Sequence, residues 1–308
     1  MNNSIPKVSV VMNCYNSAKY LREAIDSVYA QTFTDWEIVF WDNASTDKSA
    51  EIAKSYDNKI KYFCGDKTVP LGAARNLALK ECRGKYIAFL DCDDIWLPKK
   101  LEKQMVLFER KPELGLIFSD SYFFNDAGII KQLYKNYKPP RGLVFRELLS
   151  SYFLDIETVV IRTDILKELP EWFDERLHVC EETDLFLRIA YSYPVDYVDE
   201  VLSKWRVHQE SDTFKRHELF AEEGELIIEK LSKQFDGLVD EYPNEIAIFK
   251  KKIAIEKALT AAKSYNTKKC RNVLRPFVLK DPKVFALFLL TFFGARLLHH
   301  LVNKRSGF

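Results

Sequence analysis

Glycine is scarce in this sequence: ten of 308 residues, about 3% against a usual roughly 7%. Neither G-x-G-x-x-G nor G-x-x-x-x-G-K-[ST] occurs, so a dinucleotide fold or a P-loop built on a glycine-rich turn is excluded. The six cysteines (14, 64, 82, 92, 180, 270) form no C-x-x-C pair. A chain of this size needs no disulfide staples, so reduced thiols and a cytoplasmic setting are expected. The opening MNNSIPKVSV has no apolar h-region, and no signal peptide is expected. Disorder is excluded by what is present: 47% apolar and 30% charged residues build an ordinary globular core.

Net charge is +1, but its distribution is lopsided. Residues 263–308 carry ten Lys/Arg and a single acid, Asp281, so the tail is +9 and residues 1–262 sum to −8. A basic tail on an acidic body points to an anionic surface as partner.

Length allows two domains at roughly 150 residues each. Apolar β-branched runs at 7–12, Glu37–Trp41, Ile60–Cys64 and Lys85–Leu90 alternate with helical patterns at Tyr20–Ala30, Ser49–Tyr56 and Gly72–Glu81. Such alternation predicts βαβ units and an α/β fold with a mostly parallel, Rossmann-like sheet. Further on, a helix is expected over 97–111 and strands over Leu116–Phe124 and Thr158–Ile161. A mobile basic loop is expected over 131–141, a helix over Thr183–Tyr191 and an extended run over Val198–Val207. From Glu218 the pattern is helical, with a break at Tyr242-Pro243-Asn244. Expected divisions are 1–110, 111–213 and a helical region 214–308. Ligands of parallel sheets bind beyond the carboxyl ends of the strands. Here those ends are polar: Asn13-Cys14-Tyr15-Asn16, Asp42-Asn43-Ala44-Ser45 and Asp91-Cys92-Asp93-Asp94.

Asp91, Asp93 and Asp94 crowd three like charges after one strand, and a hard cation such as Mg²⁺ or Mn²⁺ would relieve them. The alternative is that Asp94 caps the following helix and the others are solvated. Glu181-Glu182-Thr183-Asp184 serves either a helix dipole or general-base chemistry, in which one carboxyl of raised pKa takes a hydroxyl proton. His208 is read as a packed or surface residue or as a metal ligand. Arg206 and Arg75 are read as phosphate contacts, the alternative for Arg75 being a solvated helix face.

Four stretches together resemble family 2 glycosyltransferases of the GT-A fold: VSVVMNCYNSAKYLREAIDSVYAQTFTDWEIVFWDNASTDKS (8–49), GAARNLALKECRGKYIAFLDCDDIWLPKKL (72–101), EETDLFLRIA (181–190) and WRVHQES (205–211). The resemblance covers about residues 1–211. It implies a donor half (1–110) that binds a nucleotide-diphospho-sugar, most commonly UDP-linked, and an acceptor half (111–213). By the resemblance, Asn13 and Tyr15 contact the base, Tyr15 by its ring face, and Asp42 and Asn43 meet the base edge. Asp91, with Cys92 beside it, lies near the ribose. Asp93 holds the Mn²⁺ or Mg²⁺ that bridges the diphosphate, with Asp91 and His208 as further ligands. Glu182 stands where the family usually has the Asp of an E-D-x-D motif, with Glu181 or Asp184 able to share the task. Asn13-Cys14 likewise replaces the common Pro-Thr. The implied reaction is an inverting displacement onto an acceptor hydroxyl.

The apolar run at 284–293 (VFALFLLTFF) spans ten residues, where a bilayer-spanning helix needs roughly 20. The expectation is an interfacial helix within 281–308, lying on anionic lipid at the inner face of the cytoplasmic membrane. A helix packed on its own domain is the alternative. A lipid-linked or surface glycan is then the natural acceptor. Nucleic-acid binding is not expected, because the basic cluster is interleaved with apolar residues. The competing readings are a binding or scaffold protein that has lost catalysis, favoured only by Glu182, and a sugar nucleotidyltransferase, which would need glycines that Asn13–Tyr20 lack.

Overall fold

The computed structural model describes residues 5–208, 211 and 215–292. The chain divides into two compact units, Met1–Leu148 with Tyr152–Ser211 and Leu149–Ser151 with Asp212–Phe308.

The first unit holds one nine-stranded sheet flanked by helices. Its strands are β1 (Val8–Cys14), β2 (Trp36–Asp42), β3 (Ile60–Cys64), β4 (Tyr86–Phe89), β5 (Ile95–Trp96), β6 (Leu116–Asn125), β7 (Gly128–Gln132), β8 (Val160–Arg162) and β9 (Val195–Arg206). The order is β3-β2-β1-β4-β8-β6-β9-β5, with β7 on β6. β3, β2, β1 and β4 are all parallel. β8 runs antiparallel between β4 and β6, and β6 and β9 are again parallel. Helices are α1 (Ala18–Tyr29), α2 (Ser49–Lys54), α3 (Leu71–Glu81), α4 (Lys100–Arg110), α5 (Phe145–Ser150), α6 (Thr163–Leu166) and α7 (Glu181–Ser192).

Strands β1, β2 and β4 are buried almost throughout because helices cover both faces. On one face Val8, Val10 and Met12 pack with Leu21, Ile25 and Val28 of α1 and Phe40 of β2. On the other, Phe89 meets the rings of Phe173 and Phe186, the latter from α7. This packing carries the first turn of α7 to the sheet's carboxyl edge.

Several expectations are corrected. The 131–141 segment is anchored: Leu133 N–H donates to the Ser121 carbonyl at 2.9 Å and Tyr134 N–H to Asp120 Oδ1 at 2.9 Å. Asp94 caps no helix, since α4 starts later, with Lys99 at its N-cap and no side-chain cap. The acid pair stands inside α7 rather than before it, because Cys180 is the N-cap.

The second unit contains α8 (Phe220–Gln234), α9 (Leu238–Glu241), α10 (Pro243–Lys263), α11 (Thr267–Leu274) and α12 (Pro282–Leu290). The first break follows α8, which closes at its C-cap Phe235, and Gly237, with a φ of +75°, is the N-cap of α9. Pro243 opens α10 as its first residue, the position where its missing N–H costs nothing. In α12, Val284, Leu287 and Phe288 face a small core with Ala258, Ala262 and Leu274. Phe285, Leu289 and Phe292 are exposed on the other side. No helix among the described residues is long and apolar enough to cross a membrane. The tail beyond residue 292 lies outside the described residues.

Gly84 marks a close approach to β1. A Cβ there would stand 2.5 Å from Ser9 N and 2.8 Å from the Val8 carbonyl carbon. The space is taken because Ser9 Oγ accepts from Gly84 N–H at 2.9 Å while donating to the buried Glu37 at 2.8 Å. Gly84→Ala is therefore expected to destabilise the fold by about 1–3 kcal/mol, read as a lowered urea midpoint.

Candidate active site

The site is built at the carboxyl ends of β1, β2 and β4. The ends are tied edge to edge: Asn43 N–H donates to the Cys14 carbonyl and Gly65 N–H to the Asp42 carbonyl, each at 2.8 Å. The loop after β1 is latched to the loop after β2. Asn16 Oδ1 accepts from Thr46 N–H at 2.8 Å, Ser45 Oγ from Asn16 N–H at 3.0 Å, and Asp47 from Ala18 N–H at 3.0 Å. Tyr15 projects from this latched loop, 53% exposed, with its ring open to a ligand. The Asn13 amide is enclosed and has no partner among the described residues. An unpartnered enclosed amide is costly unless a ligand completes it.

Asp42 and Asn43 serve as framework more than sequence reading anticipates. Asp42 is buried, accepting from the Tyr62 hydroxyl at 2.6 Å and from Ser45 N–H at 2.8 Å. The Asn43 amide is spent on Val69, donating to its carbonyl at 2.8 Å and accepting from its N–H at 3.1 Å. Cys92 also turns inward, its thiol donating to the Asn13 carbonyl at 3.2 Å. The neighbouring Cys92 thiol lowers the Cys14 pKa to about 7 against the opposing effect of burial.

The aspartates after β4 part company, which corrects the expected gathering of three around one ion. Asp91 meets Arg75, Oδ1 to Nη2 at 3.1 Å. Asp93 meets His208, Oδ2 to Nε2 at 2.7 Å. Asp94 is buried and accepts from Arg206 N–H at 2.7 Å. Burial, reinforced by the charges of Asp93 and Asp91, drives its pKa well above the carboxylate range. Among the described residues, no three His, Cys, Asp or Glu side chains form a metal-holding cluster.

Both arginines differ from expectation. Arg75, on α3, is 3% exposed and neither solvated nor held open to a phosphate. Its guanidinium bridges Asp91 to Glu181, reaching Glu181 Oε1 at 2.6 Å. Arg206 is clamped between the rings of Tyr20 and Phe124, 4.2 and 4.4 Å from their centroids. It also bonds Glu23 and the Asp93 carbonyl. Its task is to fix the 93–94 loop, not to present a free cation.

On α7, Asp184 is fully buried against Arg188, with a 2.8 Å ion pair. Arg188 in turn donates to the carbonyls of Glu171 and Trp172. Asp184 is therefore a core anchor and does not share a base's task. Glu182 is partly exposed. Desolvation first, then the Glu181 charge, pushes its pKa up to about 8, while Arg75 pulls the other way. Beside it is a residue that sequence reading missed. The Tyr152 hydroxyl is enclosed without a partner among the described residues, its pKa driven up by burial and by Glu182. No motif surrounds Tyr152, and only the fold brings it to α7.

Residues 9–169 match the model of glycosyl transferase family 2. An uncharacterized glycosyltransferase of Methanocaldococcus jannaschii is 38% identical over 68% of this chain and 74% of its own length. The Escherichia coli UDP-Glc:alpha-D-GlcNAc-diphosphoundecaprenol beta-1,3-glucosyltransferase WfgD is 27% identical over 78% of this chain and 88% of its own. The crystal structure of Staphylococcus aureus TarS 1–349 in complex with UDP-GlcNAc superposes with a TM-score of 0.67 at 23% identity, covering 97% of this chain and 90% of that one. The chain belongs to glycosyl transferase family 2: it is a glycosyltransferase with a GT-A fold.

Proposed function

We propose that this chain is an inverting transferase moving a sugar from a nucleoside-diphosphate donor, a UDP-sugar first, to a hydroxyl of a lipid-linked or surface glycan. The observation that carries the reading is the Arg75 bridge. One buried cation joins Asp91, at the end of a parallel β-strand, to Glu181, the neighbour of a carboxyl whose pKa is raised. Such a raised carboxyl beside an open cleft is what general-base chemistry asks for. The named specificity of WfgD and the UDP-GlcNAc bound to TarS support the donor class and the lipid-linked acceptor.

In this reading the base of the donor lies against Tyr15 and the Asn13 amide, and Asp91 faces the ribose. Asp93 and His208 supply one carboxylate and one imidazole, already 2.7 Å apart. That donor set would hold a Mn²⁺ or Mg²⁺ ion through one carboxylate and one imidazole. The ion, when bound, supplies neutralisation of the charge that builds on the leaving diphosphate. Glu182 takes the acceptor proton as the hydroxyl oxygen attacks the anomeric carbon opposite the departing diphosphate. A single displacement of this kind inverts the centre and needs no protein nucleophile.

The second unit is proposed to dock on anionic lipid at the inner face of the cytoplasmic membrane. Phe285, Leu289 and Phe292 form an exposed i, i+4, i+7 stripe, Leu279 is 97% exposed, and Lys268, Lys269, Arg275, Lys280 and Lys283 are exposed in the same stretch. Apolar residues flanked by lysines and arginines suit the headgroup region of an anionic bilayer.

Asp93→Ala is expected to abolish turnover and its metal dependence together; a near-normal rate in UDP-release assays would remove the metal assignment. Glu182→Gln should bind donor normally yet lose turnover. Because a base acts only when deprotonated and the pKa of Glu182 is about 8, kcat/KM should climb with pH below about 8 and level above it. A flat profile from pH 6 to 9 would count against Glu182. Co-sedimentation with phosphatidylglycerol vesicles should fall when Phe285 and Leu289 are both changed to Ser, and equal pelleting would remove the membrane role.

A further inference from the structure

The segment 132–138 is held in place by contacts that the transfer chemistry does not explain. Gln132 Nε2 and Tyr134 N–H both donate to the buried Asp120 carboxylate, and the Tyr134 hydroxyl donates to the Phe153 carbonyl. Facing it, β9 slips against β6: Ser119 pairs with Val198, but Asp120 pairs with Val201. Asp199 and Glu200 are therefore extra residues bulged out of the ladder. Between segment and bulge lies a cleft of about 540 Å³, within the 300–1,000 Å³ typical of small-ligand sites.

We propose that this cleft is a saccharide subsite for the acceptor glycan; the inference rests on the transferase reading above. Tyr137 offers a 46% exposed ring at its wall, a flat apolar surface for the C–H face of a sugar. Lys135 and Asn136 supply donors, and Asp199 and Glu200 supply acceptors for ring hydroxyls. Lys138 spans to Asp199 at 3.5 Å, and Glu200 is paired with Lys103, so both acids are held in place. With Lys103 on Glu200, the three acids Asp120, Asp199 and Glu200 are matched by three lysines, a balance that suits a neutral sugar. One wall of the cleft is joined to the site by packing: Tyr137 stands 6.3 Å from the Phe153 ring, and Phe153 is the chain neighbour of Tyr152, whose pKa the Glu182 charge raises.

Saturation-transfer NMR on the full chain tests the cleft directly, with the methyl glycosides of glucose, galactose, mannose, rhamnose and N-acetylglucosamine as probes. At least one should receive saturation, and excess UDP should not displace it. Tyr137→Ala should weaken that glycoside by up to about tenfold, while Tyr137→Phe retains it. Asp199→Asn, on the opposite wall, should weaken it as well, which keeps the test sound if Tyr137→Ala folds poorly. The subsite is overturned if no glycoside is saturated, if UDP displaces the one that is, or if folded Tyr137→Ala and Asp199→Asn bind it as wild type does. Calorimetric titration with sugar nucleotides separates the two claims. Glycoside binding without any sugar-nucleotide binding would leave the cleft standing and remove the donor reading.

Discussion

A single guanidinium organises this site. Arg75 lies in α3, yet its two carboxylate partners come from the end of β4 and the first turn of α7, 16 and 106 residues away in sequence. Taking an arginine to 3% exposure is costly unless its donors are matched by nearby negative charge. Here the match comes from both Asp91 and Glu181, so strand end, helix start and α3 are held together. The ion pair also orders the charges. Arg75 contacts Glu181 directly, whereas burial and the Glu181 charge raise the pKa of Glu182 against the pull of Arg75.

Beneath that bridge the protein buries more acid than base. Asp94, Asp155 and Glu157 all have pKa values raised chiefly by desolvation. Lys100, fully buried over the Trp96 ring at 4.2 Å, is driven down to about 7 by burial, with Glu157 opposing. Desolvation thus favours neutral forms among the enclosed groups. Asp91 and Asp93 are more open, their side chains 38% and 31% exposed. The split between Asp93 and Asp94, which the sequence presents as equivalent, follows from where each points. One reaches His208 and the cleft, and the other is sealed under the Arg206 backbone.

Sequence periodicity made the parallel half legible. Runs such as VSVVM and KYIAFL are apolar on both faces, and only a strand covered on two sides needs that pattern. The carboxyl-edge location of the site followed from it. The partners of the charged residues were not legible, because ion pairing across a hundred residues leaves no local signal. Arg75 read as a solvated or phosphate-facing residue, and only the approach of α7 shows what it holds. Asp184 looked equivalent to Glu182, but two 100° steps of a helix turn it to the opposite face, where Arg188 lies one turn along. The 131–141 segment misled for a related reason. Its lysines and prolines suggested a loose loop, while its anchors are the single buried carboxylate of Asp120 and the Phe153 carbonyl.

The shortage of glycine, which excluded the common phosphate-binding loops, also explains how this cleft keeps its shape. Turns after β1 and β2 require left-handed backbone, and non-glycine residues supply it: Asn16 at φ 51° and Ala44 at φ 61°. A side chain in that region costs on the order of 1–2 kcal/mol, so the surroundings must offset it. For Ala44, Asp42 Oδ1 accepts from Ser45 N–H and closes the turn from the strand side. For Asn16, its own side chain reaches across to Thr46 N–H while Ser45 Oγ accepts from its backbone. The same bonds that compensate the strain join the two loops. A glycine at either position would relieve the local conformation and, at Asn16, would remove one of the latches that hold Tyr15 in place. Loop rigidity here is therefore a product of side-chain hydrogen bonds. The loops after β1 and β2 are preorganised by the polar residues that make their sequence so unlike a glycine-rich turn.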